Sequence, residues 1–143
     1  MTKQTDTIAL VGRVLIGVLF LMGGISKLAA PAATQGYIAA MGLPAPVAAY
    51  FVALIVELVG SVLLIGGFQV RIVAAGLAVF TLLTAVLFHD NFADQNQMIH
   101  FLKNFAILGG LLQVVAYGAG RFSLDHRFSR SAKPSTAALT AAG

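Results

Sequence analysis

The chain has 143 residues, of which 59% are hydrophobic and only 10% are charged, whereas soluble domains are about 25% charged. So little charge excludes a soluble globular protein, because it cannot coat a water-facing surface. The absence of cysteine excludes disulfides and thiolate chemistry, and the net charge of +4 comes from basic residues at the ends of apolar segments, which is no signal for nucleic acid as a partner.

Four apolar segments follow one another along the chain, and each has the length of a membrane-spanning helix. A helix needs about 17–25 residues to cross the hydrocarbon core, and it satisfies its own backbone hydrogen bonds in lipid. The segments run approximately from Ile8 to Ser26, Pro46 to Phe68, Ile72 to Phe88 and Met98 to Tyr117. The sequence therefore predicts an all-α, integral-membrane four-helix bundle over residues 1–125, followed by a polar, disordered cytoplasmic tail over residues 126–143.

The first apolar segment has a second interpretation, as a signal peptide cleaved near Ala30-Pro31-Ala32. Its length and the position of Lys27 before the cut favour a membrane span instead. Polar and apolar residues between Thr34 and Met41 predict a short amphipathic segment in the first outer loop, before Gly42-Leu43-Pro44 ends it. Two interpretations of that segment stay open, a helix packed at the membrane surface and a solvated loop.

The basic residues predict the orientation of the bundle. An even number of spans places both termini on one side, and bacterial membrane proteins concentrate Lys and Arg on the cytoplasmic side. With both termini in the cytoplasm, seven of the nine Lys and Arg residues lie inside, and only Lys27 and Lys103 lie outside. The sequence therefore predicts an N-in, C-in protein of the bacterial inner (plasma) membrane.

Six polar residues from all four segments fall in the outer half of this predicted bundle. Glu57, the only glutamate, lies in the middle of its apolar segment, where a charge costs about 2.5–3.5 kcal/mol and needs a partner, a proton or a cavity. Helical rise places Lys103 about 8–9 Å from Glu57 in depth, within reach of the two side chains. The six residues are Lys27, Glu57, His89, His100, Lys103 and Asn104.

The faces of the helices agree with this placement. His100, Lys103 and Asn104 share one helix face at i, i+3 and i+4. The first segment carries a stripe that mixes charge with glycine and should face the bundle rather than lipid. That stripe consists of Arg13, Gly17, Phe20, Gly24 and Lys27.

Two interpretations of the polar cluster stay open at this point. Glu57 pairs with Lys27 or Lys103 to fix the helix register, or the cluster is a pocket for a small ligand such as a quinone headgroup. A metal site has less support, because the chain has no helical His-x-x-x-His or Glu-x-x-His pair. The residue types do not identify a catalytic group.

Several motifs resemble the DoxX family over about residues 10–125. The most specific is residues 100–110, HFLKNFAILGG, and the others occur in the family's order along the chain. They are Gly12-Arg13, Phe20 to Leu28, Met41-Gly42-Leu43-Pro44, Val56 to Gly60 around Glu57, Phe88-His89 and Gly120 to Asp125.

The resemblance implies a bacterial four-helix inner-membrane protein related to subunits of a thiosulfate:quinone oxidoreductase and to oxidative-stress complexes. It implies a component of a redox or oxidative-stress system, with the six polar residues as signature positions, quinone as a ligand, a redox protein or a homo-oligomer as partner, and a role as a subunit of a quinone-linked oxidoreductase. Since fold does not fix function, a non-catalytic scaffold subunit and an oligomeric small-solute transporter stay open as alternatives.

Overall fold

A computed structural model describes residues 2–131 of the chain. This range folds into six helices without a strand: α1 Lys3–Ala29, α2 Pro31–Ala40, α3 Pro46–Gly66, α4 Val70–Phe88, α5 Gln95–Tyr117 and α6 Leu124–Ser131. Four of them, α1, α3, α4 and α5, are long and apolar enough to span a membrane. The predicted all-α bundle with four membrane-spanning helices is confirmed.

Three of the spanning helices begin earlier than hydropathy predicts, α4 by two residues and α1 and α5 by more. The α1 helix begins at Lys3 because the hydroxyl of Thr2 accepts a hydrogen bond from the Thr5 N–H at 3.3 Å. The α5 helix begins at Gln95 because the Asp94 carboxylate accepts one from the Asn96 N–H at 2.8 Å. Both are side-chain caps of a helix N-terminus, and polar first turns of this kind do not contribute to an apolar pattern.

The first outer connection contains a packed helix, α2. Its Ile38 is buried against Tyr50 and Leu54 of α3, and Pro31 begins the helix at a position where proline fits well. The Tyr50 hydroxyl donates a hydrogen bond to the Lys27 carbonyl at 3.2 Å. Of the two interpretations of this segment, the packed helix is therefore the one that forms, and it is tied to the ends of α1 and α3.

Small residues set the distance between α1 and α3, which pack along most of their length. A Cβ atom added at Gly24 would lie 2.6 Å from Leu58 Cδ2 and 3.4 Å from Glu57 Cβ, so only glycine permits this approach. The stripe predicted on α1 does face the bundle, with Arg13, Gly17, Phe20 and Gly24 all buried. The close contact brings Lys27, at the end of that stripe, next to Glu57.

The other helices complete a ring around a core that includes Phe20, Leu64, Leu77 and Leu111. The α4 helix packs mainly on α5, α3 joins α4, and α5 returns to α1 over a shorter stretch. We call the end with α2 and the α4–α5 connection the outer end, and the end with the start of α1 and α6 the inner end. These names follow the orientation predicted from the basic residues.

The inner end is held by a buried guanidinium. Arg13 has no exposed surface and donates hydrogen bonds to the carbonyls of Leu64 at 3.0 Å, Ile65 at 3.4 Å and Phe122 at 2.7 Å. Two of these carbonyls belong to the last turn of α3, where carbonyl groups lack partners within the helix. Arg13 therefore joins α1, α3 and the segment before α6.

A carboxylate at the same end caps α4. Asp125 accepts hydrogen bonds from the N–H groups of Gln69 at 2.7 Å and Val70 at 2.9 Å. Its own N–H donates to the Gly67 carbonyl at 2.9 Å. The α6 helix is thus attached to the turn between α3 and α4.

The predicted boundary between domain and tail at residue 125 falls within the α6 helix and stays a prediction. The α6 helix begins at Leu124 and continues to Ser131, because Asp125 and the Ser123 hydroxyl bond to backbone groups around its start. The rest of the predicted tail, residues 132–143, lies outside the described residues.

Candidate functional site

Glu57 forms an ion pair with Lys27 at the outer end. The Lys27 ammonium donates a hydrogen bond to Glu57 Oε1 at 2.8 Å and lies 2.8 Å from Oε2. The Glu57 side chain is 9% exposed and that of Lys27 is 29% exposed. Within residues 2–131, Oε2 is buried and accepts no hydrogen bond of acceptable geometry. The pair is therefore neutral in sum, but one carboxylate oxygen keeps an unused acceptor.

A cavity of about 660 Å³ lies between α2, α3 and α4 and reaches this ion pair. Most of its wall is apolar, and the stacked rings of Tyr37 and Phe88, whose centroids are 5.6 Å apart, contribute aromatic surface. Its polar lining residues are Lys27, Thr34, Glu57, Thr84 and His89. Ligand pockets commonly measure about 300–1,000 Å³ and combine apolar walls with a few polar groups, so the cavity suits the headgroup of an amphipathic molecule.

A second, smaller cavity of about 120 Å³ lies on the other side of Glu57, between α1, α4 and α5. Its polar lining residues are Glu57, Thr81, Thr84, Lys103 and Asn104. The structure thus divides the predicted cluster between two cavities, and Glu57 and Thr84 belong to both.

The two histidines lie together at the outer surface. The rings of His89 and His100 are stacked, with centroids 5.0 Å apart and planes 24° from parallel. His89 Nδ1 is 2.6 Å from Gln97 Oε1, and since an amide oxygen only accepts, Nδ1 carries the proton. Since an ammonium group only donates, His100 Nδ1 accepts a hydrogen bond from the Lys103 ammonium at 3.1 Å. His100 joins the cluster through His89 and Lys103 and does not itself line the larger cavity.

All six residues predicted from the sequence lie at the outer end, and five of them line a cavity. Lys27, Glu57 and His89 line the larger cavity and Glu57, Lys103 and Asn104 the smaller one, whereas His100 lines neither. Sequence reasoning did not select Tyr37, Thr34 or Gln97. The position of Tyr37 in the amphipathic segment was the available signal for an aromatic wall; nothing in the pattern distinguishes Gln97 from the other polar residues near it.

At the inner end, sequence reasoning missed Asp6. This carboxylate is almost completely buried, and its Oδ1 accepts a hydrogen bond from the Arg121 N–H at 3.1 Å. Asp6 lies seven residues before Arg13, which continues the α1 stripe by two helical turns and could have revealed it. In the described part of the chain, no group of three or more His, Asp or Glu side chains is close enough to hold a metal ion.

Comparison with known proteins agrees with this architecture. The chain is 38% identical over 130 residues to inner membrane protein YqjF of Escherichia coli strain K12. The aligned region covers 91% of this chain and 98% of that protein. It is 32% identical over 123 residues to inner membrane protein YphA of the same organism, covering 82% and 88% of the two chains. No solved structure matches the chain significantly.

These relatives and the four spanning helices identify a multi-pass protein of the bacterial inner membrane. Residues 8–90 also match the sequence profile of the DoxX family, a range that includes α1 to α4 and ends before Lys103. The profile match covers more than half of the chain, and the relatives align over most of the rest, so the chain belongs to the DoxX family.

Proposed function

We propose that this protein is a small integral-membrane component of a redox or oxidative-stress system and that it binds a quinone headgroup in the larger outer cavity. One observation carries the proposal. A cavity of about 660 Å³ with mostly apolar walls ends at the Lys27–Glu57 ion pair, so an apolar volume and charged groups meet at one place.

The lining residues fit the chemistry of a quinone ring. A quinone is planar and carries carbonyl oxygens that accept hydrogen bonds, for which the Lys27 ammonium is a donor on the cavity wall. The Thr34 hydroxyl donates to the Ala30 carbonyl at 2.9 Å, so its oxygen is an acceptor for a hydroxyl of the reduced ring. The Tyr37 and Phe88 rings offer flat apolar surface beside the same cavity. The apolar tail of such a ligand lies in the surrounding lipid, which requires no further cavity in the protein.

Glu57 gives the site a group that can transfer protons. Reduction of a quinone to a hydroquinone takes up two electrons and two protons. A redox partner protein supplies the electrons, and a carboxyl group at the ring delivers the two protons one after the other, taking up a proton from water before each transfer. A proton that leaves Glu57 restores the carboxylate that Lys27 stabilises. In this proposal Lys27 binds and orients the ligand, while Glu57 binds it and exchanges the proton.

A scaffold without a ligand is the second candidate function, and the direct contact between Lys27 and Glu57 favours it. A 2.8 Å ion pair between α1 and α3 fixes the register of two helices without any ligand. In that case the polar cluster stabilises the bundle, and the protein serves its system by holding other subunits.

The experiment compares two tryptophan variants of α3. Val52 lines the larger cavity and is 57% exposed, whereas Val59 is 51% exposed on the same helix outside that cavity. Val52→Trp fills the cavity with a large side chain, and Val59→Trp adds the same side chain against lipid. Each protein is purified in mild detergent from membranes that contain native quinones, and bound quinone is quantified by mass spectrometry.

The proposal predicts that wild type and Val59→Trp retain quinone and that Val52→Trp loses at least nine-tenths of it, by an order-of-magnitude expectation for a blocked pocket. If the three proteins carry the same amount of quinone, or none, the ligand function is wrong and the scaffold is favoured. Thermal unfolding of each variant verifies that a loss of quinone does not come from a loss of fold.

A further inference from the structure

Glu57 lies between the two outer cavities, and Gly23 leaves the side of its carboxylate that faces the smaller cavity uncovered. An ideal Cβ atom built on Gly23 would lie 3.4 Å from Glu57 Oε1 and 3.6 Å from Oε2. Any side chain longer than alanine at this position would therefore cover the carboxylate where it faces the smaller cavity. With glycine there, the carboxylate adjoins the larger cavity on one side and the smaller cavity on the other.

The smaller cavity has the size and the polar lining that water requires. One buried water needs about 10–15 Å³ of space and two to four polar partners, whereas this cavity measures about 120 Å³. The Thr81 and Thr84 hydroxyls each donate to a backbone carbonyl one turn earlier, at 2.7 Å, which leaves their oxygens as acceptors. Lys103 and Asn104 supply donors on the opposite wall.

Lys103 connects this cavity to the outer surface. Lys103 lines the cavity, its ammonium donates to His100 Nδ1, and the His100 ring stacks on His89 at the outer surface. Imidazole groups at that position can exchange protons with water. His100 and Lys103 therefore connect the outer surface to the smaller cavity, whose wall also includes Glu57, and neither residue lines the larger cavity.

We propose that the smaller cavity is a water-filled branch through which Glu57 exchanges protons with the outer surface, separately from the ligand cavity. The branch depends only on Glu57 and the groups around the smaller cavity, so it does not require the ligand to be a quinone. The ligand then reaches the carboxylate through the larger cavity and protons reach it through the smaller one. A headgroup bound in the larger cavity therefore does not block proton transfer.

Other titratable side chains also line the two cavities around Glu57. Lys27 approaches from α1, His89 from α4 across the larger cavity, and Lys103 from α5 across the smaller one. On α2, the titratable side chain at the larger cavity is Tyr37.

The chain has one glutamate, so ¹³C-labelled glutamate places a single labelled carboxyl group in the protein. Isotope-edited infrared spectroscopy of proteoliposomes with one defined orientation first locates the titration midpoint of this group between about pH 4 and pH 10. A rapid pH step across that midpoint is then applied at the face carrying His89 and His100, and the rate of change of the carboxyl band is measured.

Gly23→Leu and Asn104→Leu narrow the smaller cavity from opposite walls, whereas Gly12→Leu adds the same side chain to α1 at a site with no atom within 4 Å of a Cβ. We expect the band to respond at least about tenfold more slowly in both cavity variants than in wild type. Gly12→Leu and Val52→Trp should respond at the wild-type rate. Asn104→Leu keeps the test decisive if Gly23→Leu fails to fold.

Three results would overturn the inference. Wild-type rates in both cavity variants would exclude the smaller cavity as the route, and a slow response in Val52→Trp alone would place proton access in the larger cavity. A labelled band that does not titrate in this range would show that Glu57 exchanges no proton. None of these results depends on quinone retention, so failure of the proton branch and failure of the ligand function are distinguishable.

Discussion

The two ends of the bundle satisfy their buried charges in different ways. At the inner end, Arg13 donates to three backbone carbonyls and Asp125 accepts from two backbone N–H groups. At the outer end, Glu57 bonds to the side chain of Lys27 and adjoins two cavities. Within residues 2–131, both ends keep a buried polar atom without a hydrogen bond, Arg13 Nε at the inner end and Glu57 Oε2 at the outer end. The difference therefore lies in the partners, which are backbone groups at the inner end and a side chain at the outer end.

The kind of partner determines how easily each charged contact can be broken. Backbone carbonyls and N–H groups at helix ends have fixed positions, and breaking their bonds leaves buried polar groups unsatisfied. A lysine side chain can move its ammonium toward a ligand and let that ligand take its place. The inner charges should therefore affect stability when removed, and the outer charges should affect binding.

The largest expected effect follows removal of the inner guanidinium. Arg13→Met should lower the free energy of unfolding by about 3–5 kcal/mol, because the carbonyls of Leu64, Ile65 and Phe122 lose a charged donor in a buried place. The control is Arg127→Met, since Arg127 is exposed on α6. Thermal unfolding in detergent measures both, and equal stability of the two variants would contradict the structural role of Arg13.

Removal of an acidic helix cap should cost more free energy of unfolding at the inner end than at the outer end. Asp125→Ala removes two acceptors from the start of α4 and should cost about 2 kcal/mol, at the upper end of measured cap losses. Asp94→Ala removes one exposed acceptor at the start of α5 and should cost about 0.5–1 kcal/mol. The same unfolding assay checks the order, and a larger loss for Asp94→Ala would reverse the comparison.

Substitution of each of the two outer lysines should distinguish the lysine that stabilises the bundle by pairing with Glu57 from the lysine that only lines the smaller cavity. Lys27→Met leaves Glu57 without its partner and should cost up to about 2 kcal/mol, a limited loss because Glu57 can take up a proton. Lys103→Met should cost less, below about 1 kcal/mol, since Lys103 is exposed and bonds to a histidine. A greater destabilisation by Lys103→Met, measured as a lower midpoint of thermal unfolding, would show that Lys103 is the structural partner of Glu57.

Reporter fusions test the predicted orientation of the bundle, on which the names inner end and outer end depend. This prediction concerns topology and involves no change in the stability of the protein. Fusions after Arg71 and Arg130 should report the cytoplasm, and fusions near Gln35 and Asn96 should report the periplasm, because most basic residues lie at the inner end. The opposite pattern would place the Glu57 cavities on the cytoplasmic side.

Sequence reasoning predicted the four spans well, because membrane helices follow directly from the length and hydropathy of apolar segments. It could not decide between Lys27 and Lys103 as the partner of Glu57, since helical rise gives depth but not direction around the bundle. The close approach of α1 to α3 at Gly24 makes that decision in favour of Lys27. The two cavities could not be predicted either, because their volume depends on how α2, α4 and α5 pack around Glu57.

Stabilisation by a ligand tests the central claim most directly. A molecule that binds only the folded protein raises its stability by about 2.7 kcal/mol when its concentration is one hundred times the dissociation constant. We predict that decylubiquinone, a soluble quinone, raises the thermal midpoint of wild type and of Val59→Trp in detergent and does not raise that of Val52→Trp. An equal response of all three proteins, or no response in wild type, would contradict a quinone site in the outer cavity.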